Sequence, residues 1–340
     1  MVLSDYMSNV INISCTFELC QRTGPFWSAF RKKGYLLEET SVDGKAMIRM
    51  ISPEGHVWVT STNISYPMVS HLVNEIASNK FWAYGIVKSS GLRIPETELL
   101  SDQQTVADSR LLSIASPVIV KPLDSFGSKG VSLNITDDWH LADAIAAAKK
   151  ISSAVIVQEQ VEGEEIRFTI IKSKVASVLL RQSPRVTGDG RSTVAQLIEK
   201  ENIERSKLDF EYITYPQLTE THIGNQYLKS QEVLADGEVL ELSSATMIKR
   251  GASVYDIVDE VDESYIKIAE KIAYALGASF ITVDIFVKNY SQPANDHNYW
   301  FNECNTAPAL RLYYGDKNKK GPSTAVAIIE QMDHMIRTGL

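Results

Sequence analysis

The sequence predicts an α+β protein. Strand-like and helix-like runs interleave along it, but irregularly, rather than in the strict strand–helix alternation of a doubly wound parallel sheet. Of two strand candidates near its end, FITVDIFV (Phe280 to Val287) is mostly apolar on both faces yet carries Asp284, and YWFNECN (Tyr299 to Asn305) carries Glu303. A third strand candidate, led in by Pro117 and running Val118 to Val120, ends on Lys121 and opens into a small-residue loop that holds a second lysine, Lys129. A buried ammonium and a buried carboxylate are both costly without a counter-charge, so these strands bound a binding site as well as a core.

Residues 1–75 read as a small α/β domain, with HVWVTSTNI (His56 to Ile64) as a strand. Val69, Leu72, Val73, Ile76 and Ala77 then recur at helical spacing, in a run that continues through Lys80 and Trp82. Gly91 and Pro95 end it, and 76–110 is taken as a helical linker region. From Leu111 the order is strand, loop, strand, helix, strand, with the alanine-rich LADAIAAAKK (Leu141 to Lys150) as the helix. Residues 111–158 form one subdomain in this reading, and 159–340 a second.

Ala154 to Ile171 reads as two strands around Gly163, and Val175 to Arg181 as another. GDGRSTVAQLIEKEN (Gly188 to Asn202) is a loop entering a helix, with Thr193 and Gln196 at capping-box spacing. VLADGEVLEL (Val233 to Leu242) has the signature of a hairpin turning at Asp236-Gly237. Ser264 to Gly277 is a helix with Tyr265, Ile268, Ala269, Ile272 and Leu276 on its apolar stripe. The two acidic strands follow, joined by the polar run Asn289 to Asn298, and Pro322 opens a last helix.

Composition narrows the function. With 44% hydrophobic and 22% charged residues, the 340-residue chain can bury a sizeable core. A net charge of -8 argues against nucleic acid as the partner. No apolar run approaches the ~20 residues of a membrane span. The start carries an aspartate and no basic stretch, so no signal peptide is expected. Three cysteines (Cys15, Cys20 and Cys304) without metal-type spacing read as reduced thiols, which places the expectation in the cytoplasm. The six histidines form neither HxH nor HExxH.

Strand periodicity sorts the charged residues. Asp284 is the only charge on its strand and shares a face with Phe280, Thr282 and Phe286. Glu303 and Asn305 lie two apart on one face, with Cys304 on the other. Two carboxylates and an amide oxygen are hard ligands that suit Mg²⁺ or Mn²⁺ better than zinc. The alternative is a salt bridge from Asp284 to a lysine or arginine, with a structural asparagine. Mg²⁺ sites with few protein ligands are usually completed by nucleotide phosphates, which would give Lys121 and the loop DSFGSKG a partner. A loop of this kind can present backbone N–H groups to phosphate oxygens; read alone, it is more often an ordinary hairpin. Neither GxxxxGK[ST] nor GxGxxG is present. Beyond Gly163, Glu165, Arg167 and Thr169 share a strand face. Glu165 and Arg167 are either a plain ion pair, or a ribose-binding carboxylate and a guanidinium aimed at a substrate oxyanion.

Taken in order, NKFWAYGIVKSSGLRIPE, VIVKPLDSFGSKGV, VQEQVEGEEIRF, GDGRSTVAQLIEKEN and VDIF…FNECNTAPAL resemble the ATP-grasp carboxylate–amine ligases, in particular the cyanophycin synthetase and bifunctional glutathione synthetase group. The resemblance covers roughly residues 79–332. It implies two α+β subdomains gripping ATP, the first of them a lid, after a small N-terminal domain. It implies that Lys80 and Lys121 contact the nucleotide, that Ser128 and Lys129 belong to the phosphate lid, that Glu159 and Val161 give backbone contacts to adenine, and that Glu165 holds the ribose. Asp284, Glu303 and Asn305 would bind Mg²⁺, with Mn²⁺ as a substitute, and Arg167 and Arg181 would steady the acyl-phosphate or the substrate carboxylate. The implied reaction joins a small-molecule carboxylate, an amino acid or peptide, to an amine through an acyl-phosphate, with release of ADP and phosphate. Neither nucleic acid nor membrane is expected, and a homodimer follows by analogy only. An enzyme of the same fold with a non-amine acceptor, and a non-catalytic nucleotide-binding module, are the alternatives. Two departures stand out. Gln158 sits where an acid is common, and Ser243 to Glu260 diverges from a loop that assists phosphate and substrate in these relatives.

Overall fold

The computed structural model describes residues 17–42, 45–61, 64–110, 115–125, 129–208, 210, 212–219, 230–318 and 321–339. Cys15, Gly127 and Ser128 lie outside them. In chain order the elements are α1 (Phe17–Lys32), β1 (Leu36–Val42), β2 (Lys45–Ile51), β3 (Val57–Ser61), α2 (His71–Ser78), α3 (Lys80–Ser89), β4 (Thr97–Leu100), β5 (Val118–Pro122), β6 (Ser132–Ile135), α4 (Asp138–Lys149), β7 (Val155–Glu159), β8 (Glu164–Ile171), β9 (Lys174–Gln182), β10 (Arg185–Thr187), α5 (Val194–Ser206), β11 (Val239–Glu241), β12 (Ser253–Asp256), α6 (Glu263–Ala275), β13 (Phe280–Val287), β14 (Tyr299–Asn305) and α7 (Ser323–Thr338). The α+β class expected from the sequence is the class observed.

The chain divides into two compact units. One comprises Met1–Met68, Arg181–Asp256 and Ala307–Leu340; the other comprises Val69–Leu180 and Ile257–Thr306. In the first, β1, β2 and β3 form an antiparallel sheet. Phe26, Phe30 and Tyr35 stack in turn beside it.

The second unit holds two sheets. In one the order is β4-β7-β5-β6, antiparallel throughout. Alternation gives this sheet two different faces. Val118 and Val120 on β5, with Val155 and Val157 on β7, pack on Leu141, Ala144, Ile145 and Ala148 of α4. Burying each of the larger of these side chains contributes about 1.5–3 kcal/mol. The other face carries Ile119 and Lys121 opposite Gln158 and Ile156. In the other sheet, β9, β8, β13 and β14 are successive antiparallel neighbours. Helix α6 packs on β8 and β13, and α2 and α3 pack on β14.

Two local expectations need correction. The helical run from Val69 is two helices, because Asn79 ends α2 and caps α3 by accepting from the Phe81 and Trp82 N–H groups. An asparagine competes with the helix for its own backbone, and the continuous apolar spacing hid that. The second correction concerns Val233 to Leu242. Gly237 does turn the chain, with φ of 78°, but the arms pair elsewhere: β11 joins β10, and Val233 bridges to Thr193. The capping box at Thr193 and Gln196 forms as read. So do the strands flanking Gly163, whose φ is 146° and where an added Cβ would meet the Val287 backbone at 2.8 Å.

Candidate functional site

The site is built in the second unit from the faces of its two sheets. On the β8–β13–β14 side, register aligns three rows: Thr169, Thr282 and Asn305; Arg167, Asp284 and Glu303; Glu165, Phe286 and Trp300. The rows stay in step because of a bulge. Asp284 pairs with Glu303 but Ile285 pairs with Phe301, so Asn302 is an extra residue. Its amide donates to Glu165 Oε1 at 3.4 Å. Oxygen atoms of Glu165, Asp284 and Glu303 lie within 4.8 Å of one another.

Asp284 is 0% exposed and Arg167 only 7%. The two form a bidentate pair, Nε to Oδ1 at 2.7 Å and Nη2 to Oδ2 at 2.6 Å. Burial works against the Arg167 charge, but Asp284, then Glu303 and Glu165, outweigh it and raise its pKa. The salt bridge weighed as the alternative for Asp284 is therefore present, and it lies inside a carboxylate cluster rather than replacing one. The sequence aligned Glu165 with Arg167 along one strand, whereas the guanidinium is held across the sheet. Cys304 points away from the cluster beside Val283, and burial, with Glu303 and Asp284 nearby, pushes its thiol up. A thiol so held is no nucleophile at neutral pH.

From the other sheet, Lys121 donates to Tyr84 Oη and to Gln158 Oε1, both at 2.8 Å. Gln158 thus acts through its side chain, which sequence reasoning had set aside by treating that segment as backbone contacts only. Lys80 opens α3 and donates to the carbonyls of Leu123 at 3.2 Å and Ser125 at 2.7 Å. It thereby holds the entry to the glycine-rich loop. Burial is the main cause of the lowered pKa of Lys80; Glu303 and Asp124 oppose the shift and Lys121 adds to it. A shallow pocket beside it is lined by Ala77, Lys80, Ala83, Asn302, Glu303 and Asn305, among others.

The remaining predicted residues fall as follows. Lys129 is exposed in a turn, and Ser128 is outside the described residues. Glu159 ends β7, gives its N–H to the Glu96 carbonyl at 2.8 Å and accepts from the Glu96 N–H at 3.0 Å. Val161 lies in the β7–β8 connection. Asn305 donates to Glu303 Oε1 at 3.4 Å. Arg181 sits at the end of β9, in the first compact unit. The sequence reading missed Tyr84, whose only signal was its place one helical turn after Lys80, and Asn302, whose signal was an amide directly before Glu303.

Three comparisons bear on this geometry. Residues 86–205 match the family described as D-ala D-ala ligase C-terminus. The structure of a bifunctional glutathione synthetase from Pasteurella multocida superposes with a TM-score of 0.56 at 21% identity, covering 87% of this chain and 42% of that one. The chain has the ATP-grasp fold. Among curated relatives, the glutathione biosynthesis bifunctional protein GshAB of Clostridium perfringens is 26% identical over 265 residues, 74% of this chain and 34% of that protein. Cyanophycin synthetase of Synechocystis is 25% identical over 266 residues, 76% of this chain and 30% of that protein. The chain thus spans about a third of the length of the curated relatives it matches. No helix among its described residues is long and apolar enough to cross a membrane.

Proposed function

We propose that the chain is an ATP-dependent carboxylate–amine ligase that forms an amide or peptide bond through an acyl-phosphate. The observation that carries this reading is the convergence of Glu165, Asp284 and Glu303 on one sheet face, in the same compact unit as Lys80 and Lys121. Carboxylates grouped this closely suit a divalent cation, and lysines suit phosphate oxygens.

The donor set is all oxygen, which fits Mg²⁺, with Mn²⁺ as a substitute. Asp284 and Glu303 would hold it, with Asn305 beside them. The metal would supply charge neutralisation on the transferring phosphoryl group. Lys80 and Lys121 would bind the phosphates, and Glu165 would take the ribose or complete the cation site. Lys129 and Ser128 are assigned to the lid, and the backbones of Glu159 and Val161 to the base. Arg167, held by Asp284, would present a fixed positive face to a developing oxyanion.

In the reaction proposed, a substrate carboxylate oxygen takes the γ-phosphoryl group and ADP leaves. An amine then attacks the carbonyl carbon, phosphate departs with the C–O bond electrons, and the amine loses a proton. The substrates are small-molecule carboxylates and amines, amino acids or peptides, and the site of action is the cytoplasm. The segmentation into residues 1–75, 76–110, 111–158 and 159–340 belongs to this proposal, with 111–158 as the lid.

The test is hydroxylamine trapping. Protein, Mg-ATP and hydroxylamine are incubated with a panel of amino acids, peptides and polyamino acids. The reading expects ADP together with an acyl-hydroxamate from at least one carboxylate. ATP bound but neither ADP nor hydroxamate formed with any of them would point to the non-catalytic binding module instead.

A further inference from the structure

Lys121 is the penultimate residue of β5, and its ammonium is held only by neutral acceptors among the described residues. Tyr84 Oη and Gln158 Oε1 each accept one of its hydrogens at 2.8 Å. An ammonium has three donors, of which the described residues take two. The second acceptor is itself fixed, because the Gln158 amide donates to Thr97 Oγ1 at 2.8 Å.

Tyr84 does more than accept. It is 1% exposed, and its hydroxyl donates to the carbonyl of Asn302 at 2.7 Å. Asn302 is the bulged residue directly before Glu303, and its side chain reaches Glu165. One phenol therefore joins the lysine of the β4-β7-β5-β6 sheet to β14, the strand that carries Glu303. The ring is seated edge-on against Phe301, with centroids 5.8 Å apart. A purely apolar filler would need no hydroxyl, and a buried hydroxyl without partners is costly.

We propose that Tyr84 is a positioning residue: it fixes Lys121 for a nucleotide phosphate and ties it to the β14 backbone beside Glu303. The proposal rests on the nucleotide reading given above. Losing the phenol leaves the lysine with one fixed acceptor and frees it to swing, so phosphate contact costs more ordering.

The test is a double-mutant cycle on binding of a non-hydrolysable ATP analogue with Mg²⁺, followed by calorimetry in the full chain. Tyr84→Phe keeps the ring and removes both hydrogen bonds. It should weaken binding about tenfold, within the range for a charge-assisted hydrogen bond. In a Lys121→Met background the same substitution should change affinity by less than about twofold, because the lysine it acts through is gone. Gln158→Met, which removes the other acceptor, should show the same dependence on Lys121 and serves if Tyr84→Phe does not fold. An equal loss in both backgrounds, accompanied by a lowered melting temperature, would make Tyr84 a structural residue and overturn the proposal. A wild-type chain that binds no analogue would overturn the nucleotide reading and this proposal with it.

Discussion

Asp284 and Asp333 are both buried carboxylates bonded to an arginine, and they sit in different compact units. Asp333 on α7 accepts from Tyr35 at 2.7 Å, Arg337 at 2.8 Å and Lys33 at 3.0 Å. One acid there meets two cations and a phenol, and Lys33 also reaches the exposed Glu330 at 2.8 Å. Around Asp284 the proportions reverse. Three carboxylates converge, and the bidentate guanidinium is committed to one of them. Both clusters satisfy a buried charge; in the first the further carboxylates, Glu330 and Glu54, are exposed partners of Lys33 and Arg337, whereas in the second three carboxylates face one another around one guanidinium. On the function proposed above, the carboxylates that face one another are the binding site, and the Asp333 cluster is a structural staple.

The comparison can be broken most severely at Asp284. Asp284→Asn leaves Arg167 buried without its ionised partner, which should cost about 3 kcal/mol of stability. It should also reduce ATP-dependent turnover by on the order of 100-fold or more. Thermal melts and ADP release measure the two; turnover near wild type would remove Asp284 from the site. Lys121→Met comes next. It should weaken nucleotide binding by roughly 10–100-fold with a small change in melting temperature, which calorimetry and melting together would check.

Asp333→Asn should show the opposite pattern, a stability loss of about 1–3 kcal/mol with nucleotide affinity unchanged. Its pH behaviour sharpens the contrast. Burial pushes the Asp333 carboxyl up, but hydrogen bonds from Arg337, Tyr35 and Lys33 outweigh it and hold it below the usual carboxylate range. A depressed native pKa contributes stability above the unfolded value near ~4 and loses it as pH falls through the native value. Wild type should therefore lose an increment of stability on acidification below about pH 4 that Asp333→Asn lacks. Equal acid sensitivity in both proteins would contradict this. The mildest change lies outside both clusters. Thr193→Ala removes the α5 capping box and should cost about 1 kcal/mol in a denaturant titration, with no effect on binding.

The faces of the candidate cluster's strands were legible because strand periodicity is strict. A residue's face follows from its position, so Glu303 and Asn305 could be placed on one face of their strand, and Asp284 with Thr282 on one face of its own, from spacing alone. The strand carrying Lys121 was legible for the same reason, although it runs one residue further, to Pro122. What spacing cannot supply is the partner across a sheet. Arg167 reads as a neighbour of Glu165, yet its guanidinium belongs to Asp284, 117 positions away. The pairing of β10 with β11 is non-local in the same sense, so a turn signal at Gly237 suggested a hairpin that does not form. Tyr84 escaped because a tyrosine on an apolar helix stripe looks like core, and only the structure shows where its hydroxyl goes. The bulge at Asn302 leaves no mark in the alternation until its partner strand is known. The fold class, by contrast, follows from the order of elements and needs no pairing information.

The most direct test of the central account is calorimetric binding of a non-hydrolysable ATP analogue to wild type and to Asp284→Asn, each with and without Mg²⁺. The account predicts tight binding by wild type that weakens sharply when Mg²⁺ is withheld, and weak, Mg²⁺-independent binding by Asp284→Asn. Equal affinity in all four conditions, or no binding by wild type, would contradict it.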